Sequence, residues 1–153
     1  MYTEALLRIG AAMVIGMLIG LNREAHHKAA GFRTLGILAV GVALATFSAT
    51  TMGDDAAASR VIQGILAGVG FLGAGVIVRH SDAGNVEGLT TAASIWTTAA
   101  ISAACGLGAW PAVALGSGFI LLLLTVGHTV EARILSRSRA AYSEDASSRS
   151  EEP

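Results

Sequence analysis

Three glycines in the segment 68–75, GVGFLGAG, have the G-x-G-x-x-G spacing of a phosphate-binding loop: Gly68, Gly70 and Gly73. Such a loop cradles a dinucleotide pyrophosphate when it follows a strand, opens a helix, and precedes an acidic residue about 20 positions on. Residues 61–78 instead form one uninterrupted apolar run, VIQGILAGVGFLGAGVIV. A non-helical loop in a bilayer would leave its backbone hydrogen-bonding groups without partners. The apolar run therefore predicts a membrane helix in place of a phosphate-binding loop, and we expect no cofactor.

On a helix, the glycines of this run divide between two faces. Gly64, Gly68 and Gly75 fall within about 40° of one another, and Gly70 and Gly73 lie opposite. Gly64 and Gly68 have the small-xxx-small spacing, and Gly16 and Gly20 repeat it in the first apolar run, 5–21. This spacing lets two helix backbones approach closely. We interpret the third helix as the central packing helix, and we predict close packing at seven glycines: Gly16, Gly20, Gly64, Gly68, Gly70, Gly73 and Gly75.

A second pattern lies in residues 89–105, where six hydroxyl side chains fall within an arc of about 140°. They are Thr90, Thr91, Ser94, Thr97, Thr98 and Ser102. One interpretation is hydrogen bonding to neighbouring helices or to the carbonyl four residues earlier, worth about 0.6 kcal/mol per contact in membranes. The other is the lining of a narrow polar path. Hydroxyls carry no charge, so alone they would make a poor Mg²⁺ site.

Charged residues gather at the ends of the apolar runs. Arg23, Glu24 and Arg33 lie between the first two runs, and Arg79 follows the third. Two functions remain open for this group: contact with anionic lipid headgroups, or a contact surface for a partner. His26 and His27 are adjacent and lack a third ligand at chelating spacing, so no metal is assigned to them.

Other kinds of chemistry find little support. The sequence contains no nucleophile beside a base, no zinc spacing and no Walker loop, so we predict no catalytic residues and no enzyme. The formal net charge is −1, which gives no field for binding nucleic acid.

The elements that carry these residues are membrane helices. The chain has 153 residues, of which 53% are hydrophobic and 14% charged, whereas soluble domains carry about 25% charged residues. No charged side chain occurs in residues 34–53, 61–78 or 88–127, and a helix needs about 20 residues to cross a bilayer. We predict an all-α protein with five transmembrane helices, a membrane domain over 1–130 and a largely disordered polar tail over 131–153. The five spans are 5–21, 34–52, 61–78, 89–105 and 112–129.

The distribution of Arg and Lys predicts the topology. With five spans, only Arg8 and Arg60 lie on one side, which is predicted to be outside together with the N-terminus. The other eight Arg and Lys residues lie on the predicted cytoplasmic side, together with the C-terminus. They are Arg23, Lys28, Arg33, Arg79, Arg133, Arg137, Arg139 and Arg149.

Three blocks resemble the MgtC/SapB family of bacterial inner-membrane proteins: GMLIGLNREAHHKAAGFRT (16–34), SRVIQGILAGVGFLGAGVIVR (59–79) and EGLTTAASIWTTAAI (87–101). The resemblance covers about residues 5–125 and is to a short form without the C-terminal cytoplasmic domain of larger members. Residues matching the family's motifs are Arg23, Glu24, Gly31, Arg33, Gly68, Gly70, Gly73, Gly75, Gly88, Thr90, Thr91 and Ala92.

The resemblance implies a multi-pass protein of the inner membrane, linked to magnesium limitation and, in pathogens, to virulence. It implies a regulator of other membrane proteins, with the ATP synthase as one partner discussed for the family; self-association is left open. The alternative is a protein that transports Mg²⁺ or another small solute along the hydroxyl-lined fourth helix.

Overall fold

The computed structural model describes residues 1–52, 55–79 and 88–127, with the backbone alone at 55, 78 and 79. Five helices and no strand occur in these ranges: α1 (Tyr2–Ala25), α2 (Phe32–Thr50), α3 (Asp55–Arg79), α4 (Leu89–Leu107) and α5 (Trp110–Gly127). The predicted all-α class is confirmed. The predicted tail, 131–153, lies outside the described residues.

The chain divides into two compact units, Met1–Leu121 and Leu122–Pro153. The packing below is that of the first unit. In the second, residues 122–127 continue the helix α5.

Four of the five helices are long and apolar enough to cross a membrane: α1, α2, α3 and α5. The helix α4 is not among them, although its 19 residues would span about 28 Å. Its six hydroxyl side chains lower its hydropathy, and the packing compensates for this. More of its residues are buried than in α1 or α2, so protein rather than lipid surrounds much of α4.

The centre of the first unit is therefore α4, and α3 lies at the edge. The sequence analysis predicts α3 as the central packing helix, whereas in one copy of the chain α3 lies at the edge. Gly64, Gly68, Gly70 and Gly75 are exposed, and a Cβ at any of them would meet nothing within 4 Å. Of the predicted glycines in α3, only Gly73 is buried, with its Cβ position 3.3 Å from the Cβ of Ala92. The physical reason is polarity: α3 is apolar on most sides and tolerates lipid, whereas the hydroxyl face of α4 does not.

Close backbone approach occurs instead between α1 and α2. A Cβ at Gly16 would lie 2.6 Å from the carbonyl oxygen of Leu35, and one at Gly20 would lie 2.4 Å from the Cα of Phe32. A third close approach, which the sequence did not indicate, joins α4 to α2: a Cβ at Gly106 would lie 2.8 Å from the Ala43 carbonyl oxygen. These glycines let three helices pack tightly.

The turn between α4 and α5 lies between the predicted fourth and fifth spans, 89–105 and 112–129. Gly108 ends α4 with a φ of 77°, a left-handed conformation that favours glycine. The amide of Ala109 then donates to the carbonyl of Ala104 at 2.9 Å, which satisfies one of the last carbonyls of the helix. A helix ended in this way turns back at once into α5.

Candidate functional site

A buried arginine joins α1 to α4. Arg23 is 2% exposed although it stands in the last turn of α1. Its Nη1 donates to Ser94 Oγ at 2.9 Å, its Nη2 donates to Thr91 Oγ1, and its Nε and Nη2 each donate to the Ala29 carbonyl at 3.3 Å. Among the described residues no carboxylate pairs with it. Among the described residues the charge is held by oxygen dipoles, which is costly unless the hydrogen bonds are well made.

The position of Arg23 follows from the spacing of buried residues on α1. Ala12, Gly16, Ile19, Gly20 and Arg23 recur at helical intervals and lie on one face. That face packs against α2 and α4, so the guanidinium points into the bundle. Arg23, which the sequence analysis assigns to a cytoplasmic contact surface, is buried between the helices. The period of the small residues could have revealed this, because Arg23 continues their row.

The turn between α1 and α2 is fixed from both sides. Arg23 bonds to the Ala29 carbonyl, and the Oε2 of Glu24 accepts from the backbone amide of Phe32 at 3.2 Å, at the start of α2. A carboxylate at a helix N-terminus satisfies a free amide and complements the helix dipole. Glu24 therefore caps the start of α2, and its carboxylate is engaged in that contact.

This turn also contains backbone that non-glycine residues adopt at a cost. His27 has a φ of 53° and Ala30 a φ of 62°, both left-handed. Each such residue is less favourable by about 1–2 kcal/mol than in a right-handed conformation. The contacts of Arg23 and Glu24 hold the turn in this shape.

Arg33 lies one residue beyond the cap, on the outer side of α2. It is exposed and makes no hydrogen bond or ion pair with the described residues. Of the three predicted contact residues whose side chains are described, Arg33 is the one that forms no hydrogen bond or ion pair with the described residues. Arg79 is the last residue of α3, and its side chain lies outside what the structure describes, as does the loop 80–87.

The six hydroxyls of α4 differ in burial. Thr91, Ser94, Thr98 and Ser102 are buried, Thr97 is half-buried and Thr90 is exposed. Donation to the carbonyl four residues earlier occurs at 2.7–2.8 Å from Ser94, Thr97, Thr98 and Ser102. Ser94 and Thr91 also accept from Arg23. The local hydrogen bonding that the sequence allowed is therefore present.

A second arginine of α1, not assigned a role from the sequence, contacts the other end of α4. Arg8 Nη1 donates to the Gly106 carbonyl at 3.0 Å, and Arg8 Nε bonds to Glu4 Oε2 at 3.1 Å. Its guanidinium also lies 5.6 Å from the centre of the Phe47 ring. A cation at a helix C-terminus complements the dipole. Because Arg8 and Arg23 contact opposite ends of α4, α1 and α4 are antiparallel.

One buried hydroxyl near this end lacks a partner. Thr46 of α2 is fully buried, and its Oγ1 forms no hydrogen bond within the described part of the chain. Its Cβ lies 2.7 Å from the position of a Cβ built on Gly106. No group of three metal-ligating side chains occurs within residues 1–52, 55–79 and 88–127.

These features define a helical membrane protein with several spans, in which a buried arginine ties the first helix to a hydroxyl-bearing fourth helix. The chain belongs to the MgtC family, whose profile matches residues 9–133. The predicted family is thereby confirmed.

Three curated relatives show how far the similarity extends. The chain is 42% identical over 130 residues to protein SrpB of Synechococcus elongatus, covering 77% of this chain and 71% of SrpB. It is 44% identical over 103 residues to protein MgtC of Salmonella typhimurium (67% and 43%) and 38% identical over 113 residues to protein MgtC of Brucella abortus (74% and 47%). The chain thus spans less than half the length of these two MgtC proteins. No solved structure matches it.

Proposed function

We propose that this protein is a non-enzymatic regulator in the bacterial inner membrane that contacts other membrane proteins during adaptation to low magnesium. Support for a regulator rather than a conduit comes from the α4 hydroxyls. Three of the four buried ones donate to backbone carbonyls, and the two nearest the Arg23 end accept from its guanidinium. Hydroxyls that are engaged in these hydrogen bonds serve helix packing.

The positive charge of Arg23, at one end of the row of α4 hydroxyls, argues against conduction of a cation along that row. The guanidinium of Arg23 lies against Thr91 and Ser94, where a Mg²⁺ ion moving along the row would enter or leave. Two like charges at close range in a low-dielectric interior repel strongly. No carboxylate among the described residues compensates for Arg23. The alternative, transport along α4, is therefore the weaker proposal.

The contact surface of the regulator centres on Arg33. Arg23 is buried and Glu24 caps α2, so Arg33 is the described member of the predicted surface that is exposed and unpaired. We place this end of α1 and α2 in the cytoplasm, following the distribution of Arg and Lys. Membership of the MgtC family connects the chain to magnesium through the name of its relatives.

Two measurements separate the candidate functions. The first is Mg²⁺ entry into sealed liposomes carrying the purified full chain and an entrapped indicator, compared with empty liposomes and with Thr98→Val. We expect no protein-dependent entry. Entry that requires the protein and falls in Thr98→Val would replace the regulator with a transporter.

The second is photo-crosslinking in cells grown at low magnesium, from a crosslinker at Ile37, which is exposed one turn from Arg33. We expect a crosslinked membrane protein whose recovery falls at least tenfold in Arg33→Ala and is retained in Lys28→Ala. Equal recovery from both variants would exclude Arg33 as the contact residue.

A further inference from the structure

We propose that a groove between α1 and α2 binds one acyl chain of an anionic phospholipid, with the lipid phosphate held by Arg33. This inference concerns the same surface as the proposed partner contact, since Arg33 and Ile37 belong to both, but it does not require a partner protein. The groove has a volume of about 340 Å³ and lies between Met13 and Met17 of α1 and Phe32, Gly36 and Val40 of α2. Small-molecule sites typically measure about 300–1,000 Å³.

Gly36 and Met17 form part of the groove wall and lie against each other. A Cβ built on Gly36 would lie 2.9 Å from the Cγ of Met17, so the Met17 side chain occupies the space beside Gly36. Methionine is flexible and polarizable, and it adapts to irregular apolar ligands. The walls are therefore apolar and adjustable, which suits a hydrocarbon chain.

The dimensions favour one chain of a lipid over a helix of another protein. From Arg33 to Val40 the groove follows α2 for about 10 Å, given a rise of about 1.5 Å per residue. A volume of 340 Å³ over that length corresponds to a cross-section of about 34 Å². A helix with side chains is about 10–12 Å across, which is wider than a groove of this size. A single extended hydrocarbon chain is thinner and fits.

Charge selects the headgroup. Arg33 lies at the end of the groove where α2 begins, and it has no partner among the described residues. The exposed residues from Glu24 to Arg33 include two cations, Lys28 and Arg33, and one carboxylate, Glu24. That carboxylate is engaged with the amide of Phe32. Basic sites at the ends of transmembrane helices bind anionic headgroups.

The arrangement matches the geometry of a bilayer. The helices α1 and α2 are both apolar enough to span the membrane, and the groove opens on their outer side, where Ile37 is 74% exposed. A lipid whose phosphate contacts Arg33 at the headgroup level would direct its chain towards Val40. The same lipid would cover the junction of α1 and α2 next to Gly20.

Native mass spectrometry of the purified full chain tests this site. The probes are dioleoyl phosphatidylglycerol and dioleoyl phosphatidylcholine, which have the same chains and differ in headgroup charge. We expect wild type to retain one lipid, with about a fivefold preference for phosphatidylglycerol, the factor that one juxtamembrane cation contributes. Arg33→Gln should abolish the preference, and Arg33→Lys should retain most of it.

Filling the groove tests the position of the chain. Val40→Phe places a larger side chain in the groove and should reduce retention of both lipids at least fivefold. Leu44→Phe makes a similar change one turn further along α2 at a position outside the groove, and it should retain both lipids like wild type.

Three results would overturn the proposal. One is equal retention of the two lipids by wild type, and another is equal retention by Val40→Phe and Leu44→Phe. The third is a wild-type dimer that Val40→Phe dissociates, which would assign the groove to a second copy of the chain. No partner protein is present in this experiment, so its failure leaves the regulatory function untouched.

Discussion

Replacing Gly20 with alanine adds one methyl group at the closest approach of α1 and α2. The new Cβ would lie 2.4 Å from the Cα of Phe32, 2.7 Å from its amide nitrogen and 2.8 Å from the carbonyl carbon of Gly31. All three are backbone atoms, so no rotation of a side chain relieves the overlap. Ordinary contact begins at 3.4 Å, and the start of α2 must therefore move by about 1.0 Å.

The magnitude can be isolated with a matched variant. Overpacking of this kind typically costs about 1–3 kcal/mol. Alanine also favours the helix by about 0.8–1.0 kcal/mol relative to glycine, which partly offsets that cost. Gly10→Ala is the same change on the same helix at a position with nothing within 4 Å, so it carries only the favourable effect. The difference between the two variants is then the overpacking cost itself.

Both variants can be unfolded reversibly with sodium dodecyl sulfate in mixed micelles and followed by circular dichroism. We expect Gly20→Ala to be less stable than Gly10→Ala by about 1–3 kcal/mol, a factor of about 5 to 150 in the unfolding equilibrium. Equal stability of the two variants would refute the close approach of α1 and α2, and with it the position assigned to the turn that holds Ala29 against Arg23.

The same unfolding assay tests three further expectations. Arg23→Lys should lose about 1–3 kcal/mol, because one ammonium group cannot bridge Ala29 and the α4 hydroxyls, whereas Arg33→Lys should leave stability unchanged; equal effects would contradict the burial of Arg23. Thr46→Val should stabilise by about 1 kcal/mol, since it removes a buried hydroxyl without a partner, and a loss of stability would indicate that the hydroxyl is bonded. Gly68→Leu should leave the stability of the purified chain within about 1 kcal/mol of wild type, because nothing lies within 4 Å of its Cβ position. If it is destabilised as a monomer, α3 packs more tightly than described.

The helices could be predicted from the sequence because their signal is local. Long uncharged runs give α2, α3, α4 and α5, whereas α1 comes from an apolar segment that contains Glu4 and Arg8. The helix α1 extends beyond the predicted span 5–21 through the polar residues Asn22, Arg23 and Glu24. In the structure the helix continues to Ala25, because Arg23 finds its oxygen partners inside the bundle.

Partners of each helix could not be predicted in the same way. Gly16 and Gly20 have the same spacing as Gly64 and Gly68, yet in one copy of the chain the first pair lies against α2 and the second contacts nothing. The spacing shows that the side chains on one face of a helix are small, but it does not show which helix packs against that face. Likewise, the row of hydroxyls on α4 indicates a polar face, but the arginine that contacts it is 68 and 71 positions away in the sequence.

The two arginines of α1 have a mechanical consequence. Arg8 and Arg23 hold α4 near its two ends, through the Gly106 carbonyl and the hydroxyls of Thr91 and Ser94. A slide of α4 along its axis by a single residue, about 1.5 Å, would displace the acceptors at both ends from the two guanidinium groups. The two contacts therefore oppose piston motion of α4 relative to α1. Tilting α1 and α4 together, or displacing α3, leaves both contacts in place.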